Sequence, residues 1–167
     1  MLLWLIGMMG AGKSEVGSLV ARQLDVPHFD TDDEVIKAAG QPIRALWNDE
    51  GEPAFRAMEA AQVTRLAALS DAVISTGGGV VLSGVNVAAM RASGTVIWLK
   101  AHPDRLAARI GSGADRPLLT DRSPAGALAT ILEERSALYA AAAHRTVETD
   151  DLTGEDVARK VAEAWRA

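Results

Sequence analysis

Short apolar runs recur along the chain, and each is followed by a stretch with a different pattern. In the stretches between the runs, apolar residues return every three or four positions among many alanines, which indicates amphipathic helices. Short buried strands that alternate with helices are typical of a parallel sheet covered on both faces, with right-handed crossovers. The predicted strands are LLWLI (2–6), VPHFD (26–30), AVIST (72–76), TVIWL (95–99) and RTVET (145–149), and the predicted helices cover 14–24, 54–69, 103–110, 125–143 and 154–165.

One segment departs from this alternation. Residues 111–126, GSGADRPLLTDRSPAG, contain glycines, prolines, two arginines and two aspartates between two predicted helices. The segment is long for a connection in a compact domain, and such loops often close over a ligand. We therefore expect a mobile lid at about 111–124.

The composition is that of a globular domain of ordinary size. The 167 residues include no cysteine, which excludes disulfides, thiol catalysis and cysteine-ligated metals. A net charge of −5 argues against a broad nucleic-acid surface, so an anionic ligand would need a few placed cations. The apolar run at the N-terminus is too short for a signal sequence or a membrane span. We expect one domain over 1–167, monomeric and cytoplasmic, with no nucleic-acid or membrane partner.

A glycine-rich segment follows the first predicted strand. Residues 7–14, GMMGAGKS, match G-x-x-x-x-G-K-[ST] at every fixed position, and a predicted helix comes next. Glycines allow consecutive backbone N–H groups to surround phosphate oxygens, and the helix N-terminus adds partial positive charge. The motif predicts an α/β P-loop NTPase fold, with three layers, a central five-stranded parallel sheet, helices on both faces and the lid. We expect ATP contacts from Gly10, Ala11, Gly12 and Lys13, with Lys13 at the β- and γ-phosphates and the Ser14 hydroxyl on Mg²⁺.

Two carboxylates at the end of the second predicted strand are candidates for chemistry opposite the loop. The loop alone leaves the phosphoryl acceptor open, because GTPase switches, ATPase motors and small-molecule kinases share it. Asp30 and Asp32 can both reach the crevice at the carboxyl ends of the strands, where open α/β sheets bind ligands. One could hold a magnesium-bound water and the other a substrate hydroxyl. On the pattern alone, helix capping explains them equally well.

Arginines and a run of glycines complete the candidates. Arg56 and Glu59 stand three residues apart on one predicted helix face, so Glu59 could orient the guanidinium for a carboxylate or phosphate, although surface ion pairs are commoner. Glycines 77–79 allow either close approach of a ligand or a sharp turn. Arg116 could close over the γ-phosphate or be a solvated loop charge, and Arg135 could bind an anion or be a helix-surface charge.

Taken in order, these segments resemble the shikimate kinase family. The resemblance rests on GMMGAGKS, FDTDDEV, GQPIRALWNDEGEPAFRAME, STGGGVV, DRPLL and ERSALY, and it runs from Gly7 to Tyr139. The phosphate loop is common to many families, whereas GE-x-x-FR-x-x-E, GGG, RPLL and R-x-x-LY together are specific. The resemblance implies transfer of the ATP γ-phosphoryl group to the 3-hydroxyl of shikimate, with Mg²⁺, in aromatic amino-acid biosynthesis.

The resemblance also implies a role for each candidate residue. Asp32 would bind shikimate hydroxyls and orient or deprotonate the attacking 3-hydroxyl, and Asp30 would support magnesium through water. The other implied roles are a carboxylate clamp at Arg56 and Arg135, support of Arg56 by Glu59, close approach to the ring at Gly78 and Gly79, a lid contact with ATP at Arg116, and a position near adenine for Arg109.

Three features depart from the family pattern. Glu15 stands where Thr or Ser is usual, among the ATP-binding residues near the α-phosphate, and its carboxylate should repel the nucleotide unless it turns outward. Residues 150–156 lack the basic residue often found beside adenine, and Trp47 stands where Phe is common. The alternative kept open is a nucleotide-binding homologue with weakened or altered acceptor specificity.

Other function classes fit the sequence less well. A kinase for gluconate or a nucleoside monophosphate would share the loop, and gluconate would also need a carboxylate clamp, but the combined FR-x-x-E, GGG and R-x-x-LY pattern argues against it. A nucleotide-dependent switch would need a strand-end Asp-x-x-Gly and base-reading motifs, of which no convincing set is present. The histidines at 28, 102 and 144 show no metal-ligand spacing and are expected to be structural.

Overall fold

The computed structural model describes residues 1–110 and 124–166, and within them the chain forms five strands, eight α-helices and a short 3₁₀ turn at Val80–Leu82. The strands are β1 (Leu2–Ile6), β2 (His28–Asp30), β3 (Ala72–Ser75), β4 (Gly94–Lys100) and β5 (Arg145–Glu148). The helices are α1 (Lys13–Leu24), α2 (Thr31–Ala39), α3 (Ile43–Glu50), α4 (Glu52–Ala67), α5 (Gly84–Ser93), α6 (Pro103–Ile110), α7 (Pro124–Ala142) and α8 (Gly154–Arg166).

The strands form one parallel sheet in the order β2-β3-β1-β4-β5. All five residues of the central strand β1 are buried, and because successive side chains point to opposite faces, both faces of the sheet are covered. The predicted five-stranded parallel sheet with helices on both faces is therefore confirmed. In the register, Asp30 pairs with Ser75 and Ser75 with Leu5, so β2, β3 and β1 end side by side.

Most predicted elements lie within two residues of their observed bounds, and the differences concern short helices. For α2 the pattern indicated only a possible helix cap at Asp30 and Asp32, and it predicted neither α3 nor α5. Helix α5 begins with GVNV, and glycine and β-branched residues are weak helix formers. Its N-terminus is fixed instead by a cap, since the Ser83 hydroxyl oxygen accepts from the Asn86 N–H at 3.3 Å.

The core has one large part and one small part. The large cluster surrounds the sheet, with α1 packed against β3 and α8 and with α5 and α7 against β4. The small cluster is formed by Val35, Leu46 and Phe55 on α2, α3 and α4. In residues 1–110 and 124–166, no helix combines the length and apolar composition needed to cross a bilayer. The predicted lid, apart from residue 124 at the start of α7, and Arg116 lie outside the described residues.

Candidate active site

Two cavities adjoin at the carboxyl ends of β1, β2 and β3. They are about 430 and 420 Å³ in volume, and they share Met9, Asp32 and Gly78. The first, here named the phosphate-loop cavity, is also lined by Gly10, Gly12, Lys13, Ser14, Glu15, Asp30, Thr76 and Arg109. The second, here named the arginine cavity, is also lined by Ile36, Pro42, Ile43, Arg44, Trp47, Phe55, Arg56, Glu59, Gly77, Gly79 and Arg135.

The phosphate loop requires glycine at two points. Gly10 and Gly12 have φ angles of 81° and 85°, which side chains rarely adopt. A Cβ at Gly10 would also lie 2.9 Å from the carbonyl oxygen of Leu106. Gly12 is the N-cap of α1 and makes no side-chain cap bond, so no capping side chain occupies the first turn of α1, whose residues line the cavity. This arrangement suits an anion.

The ammonium group of Lys13 lies across the loop. Its Nζ donates to the carbonyl oxygens of Gly7 and Met8, each at 2.8 Å, and the side chain is buried. These bonds hold a positive charge at the place where the loop opens into the cavity. A buried cation there favours the approach of phosphate oxygens.

Asp30 connects the first turn of α1 with the start of α2. Its Oδ2 accepts from the Ser14 hydroxyl at 2.5 Å, and its Oδ1 accepts from the Asp32 N–H at 3.0 Å as the N-cap of α2. Asp30 therefore caps α2 and also lines the phosphate-loop cavity. Asp32 lines both cavities.

Arg56 is oriented by two acids and two aromatic rings. It donates from Nη1 to Glu59 Oε2 at 3.0 Å and from Nε to Glu52 Oε1 at 3.3 Å. Its guanidinium carbon lies 5.0 Å from the centroid of the Phe55 ring and 5.8 Å from that of Trp47. Its side chain is 22% exposed and that of Glu59 only 1%, so this pair is not the exposed surface pair that the sequence left open.

Gly77 allows two carboxylates to lie beside the backbone. A Cβ there would come within 2.7 Å of Asp32 Oδ1 and 2.9 Å of Glu59 Oε1. Among the described residues, Oε1 of Glu59 has no hydrogen-bond partner although it is buried. Burial raises the pKa of Glu59, Asp32 raises it further, and Arg56 opposes both.

Tyr139 positions the glycine segment from the opposite side. Its hydroxyl donates to the Gly78 carbonyl oxygen at 2.5 Å, and its ring stacks on Trp98 with centroids 5.6 Å apart. Burial raises the pKa of Tyr139 to about 12, so the hydroxyl keeps its hydrogen at neutral pH. Arg135 lies one helical turn earlier on α7 and is buried in the wall of the arginine cavity.

Arg109 on α6 and Glu15 on α1 also line the phosphate-loop cavity. Arg109 donates from Nη2 to the Thr149 carbonyl oxygen at 3.1 Å, and its Nη1 lies 3.5 Å from the Gly10 carbonyl oxygen. The carboxylate of Glu15 lies against Gly154, the first residue of α8, because a Cβ at Gly154 would be only 2.5 Å from Glu15 Oε1. The Glu15 side chain is thus directed toward the start of α8.

The three histidines make hydrogen bonds within the fold. His28 lies 2.9 Å from the Ser75 hydroxyl, and His144 Nδ1 accepts from the Val96 N–H at 3.0 Å. Burial lowers the pKa of both rings. In the part of the chain that the structure describes, no three His, Asp or Glu side chains group closely enough to hold a metal ion.

The structure brings most of the predicted residues to two joined cavities. Glu59 lies behind Arg56, and Arg109 reaches the phosphate-loop cavity from α6. The sequence did not single out Arg44 or Tyr139 as site residues, and within the glycine run it assigned a role to Gly78 and Gly79 but none to Gly77. The GGG run contains Gly77 and the segment ERSALY contains Tyr139, whereas no local signal distinguishes Arg44 from other exposed arginines.

The matching family and the three similar proteins described below are shikimate kinases. The family described as shikimate kinase matches residues 9–166. A shikimate kinase from Moorella thermoacetica is 42% identical over 163 residues, covering 98% of this chain and 93% of its own length. The structure of shikimate kinase from Acinetobacter baumannii in complex with shikimate has a TM-score of 0.95 at 31% identity, covering 98% of this chain and 91% of its own. Shikimate kinase from Aquifex aeolicus has a TM-score of 0.87 at 31% identity, with 99% and 96% covered.

Proposed function

The chain belongs to the shikimate kinase family, and we propose that its two joined cavities transfer the γ-phosphoryl group of ATP to the 3-hydroxyl of shikimate. The protein is an ATP-dependent kinase that acts on shikimate. The observation that carries the assignment of the site is the wall shared by the cavities. Asp32 lines both, so one carboxylate stands between a loop suited to a triphosphate and a cavity whose arginines, among them the buried Arg135, suit a carboxylate.

The arginine cavity binds the acceptor in this proposal. Arg56 and Arg135 bind the shikimate carboxylate by charge-assisted hydrogen bonds, and Glu59 holds Arg56 in position. Gly78 and Gly79 allow the ring to approach the backbone. A Cβ at Gly79 would overlap the guanidinium of Arg56, which supports a requirement for glycine at that position.

The reaction needs position and charge rather than covalent chemistry from the protein. The 3-oxygen of shikimate forms a bond to the γ-phosphorus while the bond from that phosphorus to the β,γ-bridging oxygen breaks, and ADP leaves. Asp32 orients the hydroxyl and takes its proton. Lys13 and the N–H groups of Gly10, Gly12 and Ser14 stabilise the charge on the phosphate oxygens, whereas the N–H of Ala11 donates to the Met8 carbonyl oxygen at 3.2 Å and shapes the loop.

The residues at the start of α1 and α2 fit Mg²⁺. The Ser14 hydroxyl and the Asp30 carboxylate lie 2.5 Å apart on the edge of the phosphate-loop cavity, and both are oxygen groups of the kind that Mg²⁺ prefers. We propose that Ser14 binds the ion directly and Asp30 through water. When bound with ATP, Mg²⁺ offsets charge on the β- and γ-phosphates.

Three further residues, Arg109, Arg116 and Glu15, belong to the nucleotide side, and their roles are defined less fully. Arg109, held at Thr149, is proposed to lie near adenine, and Arg116 stays a prediction because it is outside the described residues. Glu15 points to the start of α8, which supports the outward orientation that nucleotide binding requires. The alternative of a homologue with weakened or altered acceptor specificity is therefore not favoured.

We also propose the state in which the enzyme works. Both cavities are formed within one chain, which supports a monomer of one domain over 1–167. The net charge of −5 supports the expectation of no nucleic-acid partner, and no membrane partner is proposed. ATP as phosphoryl donor supports a cytoplasmic location.

The direct test is release of ADP from Mg-ATP with and without shikimate, with gluconate and quinate as control acceptors. Strong stimulation by shikimate alone is expected. A matched pair of variants locates the chemistry: Asp32→Asn should abolish the stimulation, whereas Asp33→Asn, on the exposed side of α2, should retain it. If ATP binds but no acceptor stimulates turnover, the proposal is wrong.

A further inference from the structure

A chain of hydrogen bonds, half-buried at His28 and buried at Ser75, connects the three elements that meet below the phosphate loop. On β2, His28 Nε2 lies 2.9 Å from the Ser75 hydroxyl oxygen at the end of β3. The same hydroxyl lies 2.7 Å from the carbonyl oxygen of Lys13, the first residue of α1. Ser75 is fully buried. Neither His28 nor Ser75 lines either cavity, and the reaction described above uses neither.

The hydrogens of this chain can be assigned from its geometry. The Ser75 hydroxyl has one hydrogen. A contact of 2.7 Å between a hydroxyl oxygen and a carbonyl oxygen requires that hydrogen between them, because the carbonyl can only accept. The Ser75 oxygen must then accept from the imidazole, so Nε2 of His28 carries a hydrogen and donates it.

A glycine on α1 makes this close packing possible. A Cβ at Gly17 would lie 2.5 Å from both His28 Nε2 and the Ser75 hydroxyl oxygen. Glycine in the interior of a helix costs roughly 0.5–1 kcal/mol relative to alanine. The approach of α1 to β2 and β3 at this point therefore depends on the glycine, and the hydrogen-bond chain occupies the space that a side chain would fill.

We propose that His28 is a positioning residue for the phosphate-binding helix. By donating to Ser75, it directs the Ser75 hydrogen onto the Lys13 carbonyl and fixes the first turn of α1 relative to β2 and β3. That turn holds the phosphoryl donor, while the residues after β2 and β3 hold the acceptor. The inference rests on the proposed phosphoryl transfer, whose rate falls about 100-fold for a misplacement of about 1 Å.

The test measures kcat and KM separately in variants of His28. His28→Leu removes the N–H donor and keeps a side chain of similar volume. We expect kcat to fall about tenfold while KM for shikimate stays within about twofold. The reason is that the variant loses the alignment of phosphoryl donor and acceptor and keeps the binding of the acceptor. His28→Gln places an amide N–H at similar reach and should restore kcat to within about twofold of the original. His144→Leu is the matched control, since it removes a histidine bonded to backbone at the other side of the sheet.

A double variant separates positioning from general destabilisation. If His28 acts through Ser75, then His28→Leu should cause no further loss of kcat in a Ser75→Ala background. Losses that multiply would overturn the inference. Thermal unfolding in parallel gives the folded fraction, to which kcat is normalised. If His28→Leu does not fold, comparison of His28→Asn, whose amide is too short, with His28→Gln asks the same question.

The outcomes for the inference and for the proposed function are distinct. If the unaltered protein shows no stimulation by shikimate, the proposed function fails. If the unaltered protein is active and His28→Leu has a kcat within about twofold of it, only the positioning role fails. A low kcat that His28→Gln does not restore also overturns it, because the bulk of the ring rather than its N–H group would then be responsible.

Discussion

The phosphate-loop cavity and the arginine cavity have nearly the same volume but are built in different ways. In the proposed function, the first cavity binds phosphate mainly through one continuous segment, residues 7–14, although Asp30, Thr76 and Arg109 also line it. The second takes side chains from α2, α3, α4, the glycine segment and α7. One therefore depends on a local conformation and a single buried cation, whereas the other depends on the packing of several helices. We therefore expect substitutions in the two cavities to reduce activity in different ways.

The largest loss of activity should come from substitution of Lys13. This substitution tests the claim that the phosphate-loop cavity depends on a single buried cation. Lys13→Ala should lower kcat about 100- to 1,000-fold, the usual cost of removing a group that stabilises transition-state charge. Lys100→Ala, which removes a lysine paired with Glu148 at the surface, is the control for loss of charge. Near-normal ADP release by Lys13→Ala would refute the assigned role.

A smaller effect is expected at Arg135. Because the two cavities are separate, we expect its loss to change the binding of shikimate and not that of ATP. Arg135→Ala should raise KM for shikimate roughly 30-fold, since a charge-assisted hydrogen bond to a buried group contributes about 2 kcal/mol. KM for ATP should stay within about twofold. Arg91→Ala is a suitable control because Arg91 donates to the Ala142 carbonyl at the C-terminal end of α7 and lines neither cavity. Equal changes in both KM values would contradict a separate acceptor cavity.

Gly77 tests how closely the arginine cavity is packed. The extra methyl of Gly77→Ala would displace the carboxylates of Asp32 and Glu59, and we expect kcat/KM for shikimate to fall about tenfold. Gly84→Ala is the matched control, because a Cβ at Gly84 meets nothing within 4 Å. The two variants should differ in steady-state kinetics. If they behave alike, the carboxylates can move aside at little cost.

The smallest effect should be a stability gain from Glu59→Gln at neutral pH. The pKa of Glu59 is raised above its ordinary value of 4.5 by burial, so the folded protein favours the neutral form. Stability from that form is present below pH 4.5 and is lost as the pH rises through the folded-state pKa. Glutamine stays neutral, so its advantage in melting temperature should grow with pH. Glu52→Gln, which removes the exposed partner of the same arginine, is the control.

The two cavities also differ in how far the sequence could predict them, because one is formed by consecutive residues and the other by the packing of several helices. The phosphate loop could be predicted in full because its residues are consecutive and their spacing fixes the geometry. Arg56 and Glu59 were recognisable as a pair because they share one helix face. Arg44 lies at the arginine cavity only because α3 packs against α4, and α3 was itself not predicted. Tertiary packing of short helices is not encoded in local periodicity.

Burial also separates alternatives that sequence patterns leave equal. Asp30 was equally consistent with a helix cap and with a functional site; the structure shows the cap and a second hydrogen bond from the Ser14 hydroxyl, and the magnesium role stays a proposal. His28 was expected to be structural, and no spacing rule connects it with Ser75, which is 47 residues away. Their contact depends on the parallel pairing of β2 with β3, which brings distant residues into register.

Trp47 gives the arginine cavity an optical property. Of the four tryptophans, all within the described residues, it is the one that lines either cavity, and its indole lies beside the guanidinium of Arg56. Its fluorescence emission depends on that charge and on contact with water, and an acceptor would change both. Occupancy of the acceptor side can thus be followed in the unlabelled protein, separately from the nucleotide, so the order in which the two substrates bind becomes directly observable.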